Sequence, residues 1–371
     1  MERGEQGTKM NRLMMDTYRE DLNSVCMEKL PFEKLKNRKI LITGATGLIG
    51  TGLVDTLMWI NREKNLSMQV DVLCRNEKKA ENLFERYLKN TGKETFRSIK
   101  GDLTGAILPK EEYDYIIHGG GNNHPAAFAK EPVETMKTSL CGTMNLLDKL
   151  SKQRNHPVFL LLSSGEVYGN LAELEASGCR EEVTGEVNPM ETRSCYPEAK
   201  RAGETLCRAY AEEYQLDTKV ARLCYIFGAT YQEESTKADV QFLKKAVAKQ
   251  DIVLKSAGLQ YRSYCYLRDA VAGIFYILLK GEKGEAYNVS NPNMKVTIRE
   301  FAETLAQAAG VHVVFEHPED LEQKGYSTLS REILDSAKLQ KLGYRAKVGL
   351  QEAMERILQI REDGRTEIWR E

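Results

Sequence analysis

Several things are scarce in this chain of 371 residues. No charge excess exists: 53 Lys and Arg stand against 54 Asp and Glu, a formal net charge of -1. A nucleic-acid binder usually carries a basic surplus or stripe, so that class is set aside. The eight cysteines include no CxxC pair and no metal-ligand spacing, which argues against a disulfide framework and for a reducing cytoplasm. His118, His124 and His156 lack ligand spacing too and read as structural or surface residues, so no metal is expected. No apolar run is long enough to span a membrane, and the charged opening "MERGEQGTKMNRLMMDTYRED" does not read as a signal peptide. Met10 is a candidate native start. Repeats and low-complexity tracts are missing as well.

What is present is an alternation. "KILITG", "QVDVLCR", "YDYIIHGGG", "PVFLLLSS" and "TKVARLCYIFG" are short apolar runs. Between them lie helical patterns: "LIGTGLVDTLMWINRE", "NEKKAENLFERYL" opening on Asn76 as a cap, residues 131–153, and Tyr196 to Tyr214. Near-continuous apolar strands separated by helices imply an α/β protein with a parallel sheet covered on both faces. Ligands bind such sheets at the carboxyl ends of the strands. Past about residue 230 the elements become shorter and mixed. "VTIREFAETLAQAAG" reads as a helix with Thr297 and Glu300 in capping-box spacing and Gly310 at its end. The expected division is an extension over 1–36, a dinucleotide-binding domain over 37–230, and a smaller α/β substrate-binding lobe over 231–371.

Three stretches carry chemistry. "ILITGATGLIG" sets Gly44, Gly47 and Gly50 between the first strand and the first helix. Glycines there permit a tight turn and let backbone approach a pyrophosphate, while the helix N-terminus offers free N–H groups. Thr46, Leu48 and Ile49 belong to the same turn. At the second strand's end Cys74 stands where an acid would read the ribose of NAD, and Arg75 follows, which suits the extra phosphate of NADP. Asp102 in "KGDLTG" is placed either to meet the adenine amine or to form a turn, with Leu103 beside it. Gly119 ends the fourth strand. In "RSCYPEAKR", Tyr196 and Lys200 share one helix face. A phenol beside an ammonium is favoured as phenolate and can take an alcohol proton while hydride leaves the same carbon. Lys200 also suits the nicotinamide ribose. "SSGEVYG" presents Ser164 and Glu166 where a core strand ends. Cys195 adjoins Tyr196, but no partner base is evident for it.

Together "TGATGLIG", "GDLT", "HGGGNNHP", "GTMNLL", "SSGEVYG", "YPEAK", "YRSYCYLRDA" and "DSAKLQKLGY" resemble an extended short-chain dehydrogenase/reductase of the nucleotide-sugar-modifying epimerase/dehydratase family, from about Lys39 to Arg361. The resemblance implies a Rossmann-type doubly wound sheet and oxidation at C4 of a sugar on a nucleoside diphosphate. It implies NAD, with NADP suggested by Arg75. It makes Ser164, Tyr196 and Lys200 the catalytic triad and puts Glu166 in the active site. "SSGEVYG" with "RSCYPEAKR" is most similar to UDP-glucuronate decarboxylases. That implies Arg193 facing a sugar carboxylate and Arg262 contacting the diphosphate. A homodimer through the long helix and the Tyr196 helix is implied too. Four departures stand out: Gly165 where dTDP-glucose dehydratases carry an aspartate, Ser139 and Tyr225 in place of asparagines, and Gly119 to Gly121 in place of an alanine-rich strand end. Alternatives are a 4-epimerase, a 4,6-dehydratase, an NADPH-dependent reductase of a nucleotide-linked ketose, and a non-catalytic dinucleotide sensor.

Overall fold

The computed structural model describes residues 12–90, 96–105, 109–171, 178–316 and 330–366, so Met10 lies outside the described residues. The first half of the chain runs α1 (Asp16–Cys26), β1 (Lys39–Thr43), α2 (Leu48–Lys64), β2 (Gln69–Cys74), α3 (Glu77–Leu83), α4 (Glu85–Asn90), β3 (Phe96–Lys100), β4 (Tyr115–His118), α5 (Pro125–Lys130), α6 (Pro132–Ser151), β5 (Val158–Ser164) and α7 (Cys195–Glu213). The second half runs β6 (Asp217–Leu223), β7 (Tyr225–Phe227), α8 (Ala238–Val247), β8 (Ile252–Leu254), β9 (Tyr261–Tyr266), α9 (Leu267–Lys280), β10 (Glu285–Val289), β11 (Lys295–Thr297), α10 (Ile298–Ala309), β12 (Val313–Phe315), β13 (Arg331–Glu332), α11 (Ala337–Lys341) and α12 (Leu350–Thr366).

Seven strands form one parallel sheet in the order β10-β6-β5-β4-β1-β2-β3. After β1 the chain winds one way through β2 and β3, then returns to β4 and winds the other way. The switch lies between β1 and β4, where a crevice opens at the strand ends. Helices cover both faces, so the central strands are buried along nearly their whole length; Phe159 to Leu162 and Ile40 to Ile42 are core residues.

The run "TKVARLCYIFG" is not one strand. It breaks at Cys224, and β7 leaves the main sheet to pair with β9 in a second sheet that also holds β11 and β13. The segment beyond residue 230 also contributes to the main sheet. β10 rejoins the main sheet beside β6, and α9 packs its buried face on α2. "NEKKAENLFERYL" likewise forms two short helices separated at Phe84, whose ring turns into the core against Phe96. Asn76 caps the first, accepting from the Lys79 N–H at 2.9 Å. Thr297 and Glu300 close a capping box on α10, and Gly310 ends it in the left-handed region at φ 68°.

The extension before β1 packs on the body. Tyr18, Leu22 and Val25 of α1 are buried, and Arg12 grips Asp55 of α2 through two hydrogen bonds of 2.5 and 2.8 Å. Tyr18 and Tyr87 donate to the same carboxylate, at 2.7 and 2.9 Å. Asp55 is completely buried, so these three partners replace the water it lost. Among the described residues, no helix is long and apolar enough to cross a membrane.

Candidate active site

The glycine turn sits at the switch point. Gly44 has φ 72°, and a Cβ there would lie 2.4 Å from the Gly119 carbonyl oxygen. A Cβ on Gly50 would lie 2.2 Å from the Gly44 carbonyl oxygen. Only bare backbone fits either contact. Gly47 is the N-cap of α2, with Thr46, Leu48 and Ile49 half-buried around it. The result is a cradle of backbone at a helix N-terminus, a shape that fits a dinucleotide pyrophosphate.

The glycines after β4 are explained by the same packing. Gly119 supports Gly44, and a Cβ on Gly120 would come within 2.4 Å of the Leu103 side chain. Leu103 is wedged between Gly120 and Gly142 of α6, and Asn145 holds its carbonyl at 2.8 Å. Thr43 binds both the Gly120 N–H at 3.0 Å and His118 Nδ1 at 2.6 Å. Burial and the nearby Lys200 push the His118 pKa down to about 3, which keeps this ring neutral and structural. Asp102 accepts from both the N–H and the hydroxyl of Thr104, each at 2.9 Å, so it forms the turn; these bonds hold its carboxyl below the usual range. Arg75 lies at the tip of β2 with its side chain 62% exposed, 3.9 Å from Glu134.

On the other side of the switch, β5 and α7 bring together Ser164, Glu166, Tyr196 and Lys200. The two serines ending β5 have different tasks. Ser163 turns inward and donates to Glu204 of α7 at 2.5 Å; Arg222 of β6 pairs with that glutamate at 2.7 Å. Ser164 accepts from the Glu166 N–H at 3.2 Å, and its hydroxyl works against the rise in the Tyr196 pKa. Tyr196 lies in the first turn of α7, where Pro197 costs no hydrogen bond. Its ring stacks on Phe128 of α5, centroids 4.5 Å apart. Burial raises the Tyr196 pKa well above that of an ordinary phenol, and Glu166 adds to the rise. Lys200 donates to the Leu162 carbonyl at 2.8 Å, with its nitrogen 5.9 Å from the Tyr196 ring centroid. Burial lowers its pKa to about 8.

Glu166 does not stand alone. Arg193 grips it with two hydrogen bonds of 2.8 and 3.1 Å, a fork that matches a carboxylate. Among the described residues, the buried Arg193 Nε has no hydrogen-bond partner. Further along the cleft, Tyr225 donates to Glu332 at 2.8 Å, and Glu332 faces Arg262 at 3.4 Å. Glu332 also lines a cavity of about 260 Å³ with Gly165, Tyr168, Asn170, Cys179 and Leu334.

Residues 40–290 match the NAD dependent epimerase/dehydratase family. The chain belongs to that family. Among its curated relatives, UDP-glucuronic acid decarboxylase 6 of Arabidopsis thaliana is 31% identical over 322 residues, covering 86% of this chain and 87% of the relative. UDP-glucuronic acid decarboxylase 1 of Danio rerio is 30% identical over 333 residues, covering 87% and 73%. Two solved structures share the fold. One is dTDP-glucose 4,6-dehydratase (DesIV) of Streptomyces venezuelae with NAD and TYD bound, TM-score 0.73 at 23% identity, covering 89% of this chain and 98% of that one. The other is UDP-glucuronic acid 4-epimerase of Bacillus cereus with UDP-glucuronic acid and NAD, TM-score 0.72 at 20% identity, covering 88% and 99%.

Two members of this epimerase/dehydratase site escaped sequence reading. Phe128 sits in an unremarkable "PAAFAK" and gives no local signal for stacking on Tyr196. Glu332 lies outside the motifs that carried the family resemblance, just before "DSAKLQKLGY", and comes to the cleft only because β13 pairs with β9.

Proposed function

We propose that this protein decarboxylates UDP-glucuronate through transient oxidation at C4. The carrying observation is the Glu166–Arg193 fork set beside Ser164, Tyr196 and Lys200. It offers a guanidinium for a sugar carboxylate and a carboxyl group for proton handling in one place. The dinucleotide, held over the Gly44–Gly50 cradle, would supply the acceptor that takes hydride from C4 and gives it back. Ser164 orients the C4 hydroxyl, and Tyr196 takes its proton. Lys200 holds the ribose, and Ser164 and Arg193 favour the phenolate against burial and Glu166. The 4-keto sugar is then a β-keto acid, and its C5–C6 bond breaks with loss of carbon dioxide. The electrons of that bond form a C4–C5 enolate, and a proton taken from water is delivered to C5 through Glu166. Tyr196 returns its proton when C4 is reduced, leaving a UDP-pentose. Arg262 and Tyr225 stand on the nucleotide-sugar side of the cleft.

The bound dinucleotide is NAD in this reading, since it is recycled in place. A second reading rests on Arg75 and on Cys74, which replaces the ribose-reading acid: an NADPH-dependent reductase of a nucleotide-linked ketose. A homodimer would form through α6 and α7, which pack on each other; Val133, Met136 and Met144 of α6 are exposed apolar residues there. Incubation with UDP-glucuronate and NAD, followed by product mass, tests the main reading. Loss of carbon dioxide is expected. An unchanged mass together with NADPH oxidation by a nucleotide-linked ketose would replace it with the second reading.

A further inference from the structure

Arg262 is the largest fully buried side chain among the described residues, and it is paired within the protein. Register explains the pairing. β13 runs parallel to β9 with Glu332 opposite Arg262, and β7 lies on β9 with Tyr225 opposite Tyr264, two residues along. Residues two apart on a strand share a face, so Arg262, Glu332 and Tyr225 converge. The guanidinium carbon is 5.6 Å from the Tyr225 ring centroid, and the Tyr225 hydroxyl holds the carboxylate oxygen nearest Arg262. Glu332 is itself buried, at 8% exposure.

We infer that Glu332 is a specificity-determining residue, an internal anion that occupies the guanidinium face of Arg262 and competes there with the diphosphate of the substrate. The inference rests on the nucleotide-sugar reading above. An arriving diphosphate meets a carboxylate already in place, and like charges brought together out of water repel strongly. The complex forms when Glu332 takes up a proton and releases the guanidinium. Burial already raises the Glu332 pKa; Arg262, Tyr225 and Arg193 work against that rise and Glu166 adds to it. The charge of the same carboxylate also raises the pKa values of Tyr196, Tyr264 and Cys179. A neutral form of Glu332 is therefore within reach.

UDP alone is the probe, with binding measured by calorimetry on the full chain at a pH where the diphosphate is fully ionised. Buffers of different ionisation enthalpy report proton uptake. Wild type is expected to bind UDP with uptake of protons. Glu332→Gln is expected to bind UDP roughly tenfold tighter or more, with the uptake lost and NAD affinity unchanged. Equal or weaker UDP binding by a folded Glu332→Gln protein would overturn the inference and leave the nucleotide-sugar reading standing. Failure of both proteins to bind UDP while both bind NAD would overturn the two together. Should the variant not fold, wild type decides alone: UDP binding without proton uptake would overturn the inference.

Discussion

The two sides of the cleft recognise by different means. On the β1–β4 side, the cradle is backbone: Gly44, Gly50, Gly119 and Gly120 leave no room for side chains, and its polar residues Thr43, His118 and Asp102 are tied to neighbours. On the β5–β7–β9 side, the surface is paired charge: Glu166 with Arg193, and Glu332 with Arg262 and Tyr225. A backbone cradle suits one ligand shape and tolerates little change. Paired side chains can be exchanged together without moving the strands. In the proposed reading the first side holds the cofactor and the second holds the substrate.

The largest expected effect lies between the two sides. Tyr196→Phe should cut turnover by about 10²–10⁴-fold while leaving the melting temperature and NAD binding intact. Full activity in that variant would remove Tyr196 from the chemistry. Gly44→Ala tests the cradle. It forces φ 72° on a residue with a Cβ and drives that carbon to 2.4 Å from the Gly119 carbonyl. A loss of about 2–4 kcal/mol by chemical denaturation is expected, with NAD binding abolished. A stable, NAD-binding alanine variant would mean the turn is looser than drawn.

Glu166→Gln probes the paired-charge side. Turnover should fall about 10²-fold. Glu166 also raises the Tyr196 pKa, so its neutralisation should lower that pKa and shift the acidic limb of the residual kcat/KM profile to lower pH. A limb that stays put would uncouple the two residues. Lys200→Met should trade function for stability. The folded pKa of about 8 lies below the ordinary 10.5, so the buried charge destabilises the fold fully below about pH 8 and less as pH rises toward 10.5. Removing it should gain about 1–3 kcal/mol at neutral pH, a gain that shrinks in alkali, while turnover is lost. The smallest effect is expected from Arg75→Ala, since the side chain is 62% exposed: NADP affinity should fall severalfold with NAD affinity unchanged.

The sheet was legible because its strands are buried on both faces and read as unbroken apolar runs. The switch-point turn was legible because its glycines answer to contacts that any side chain would break. Tyr196 and Lys200 could be paired from helical spacing alone. The sequence was silent where long-range pairing decides. Nothing near Cys224 says that the chain changes sheets there, because Cys224 and its neighbours suit either strand; the pairing of β7 with β9 decides it. Glu332 reads as one charge among many until β13 sets it opposite Arg262. The docking of α1 was not legible either: Asp55, buried in α2 and satisfied by Arg12, Tyr18 and Tyr87, shows where the extension packs only in three dimensions.

The most direct measurement uses UDP-glucuronate carrying deuterium at C4, with the product examined by mass spectrometry and NMR. Hydride that leaves C4 and returns to it within one closed site gives a decarboxylated UDP-pentose that keeps its deuterium at C4. Decarboxylation with no transfer of deuterium from C4 to the dinucleotide in a single turnover would contradict transient oxidation at C4, and a decarboxylated product without the label would contradict return of the hydride within one site.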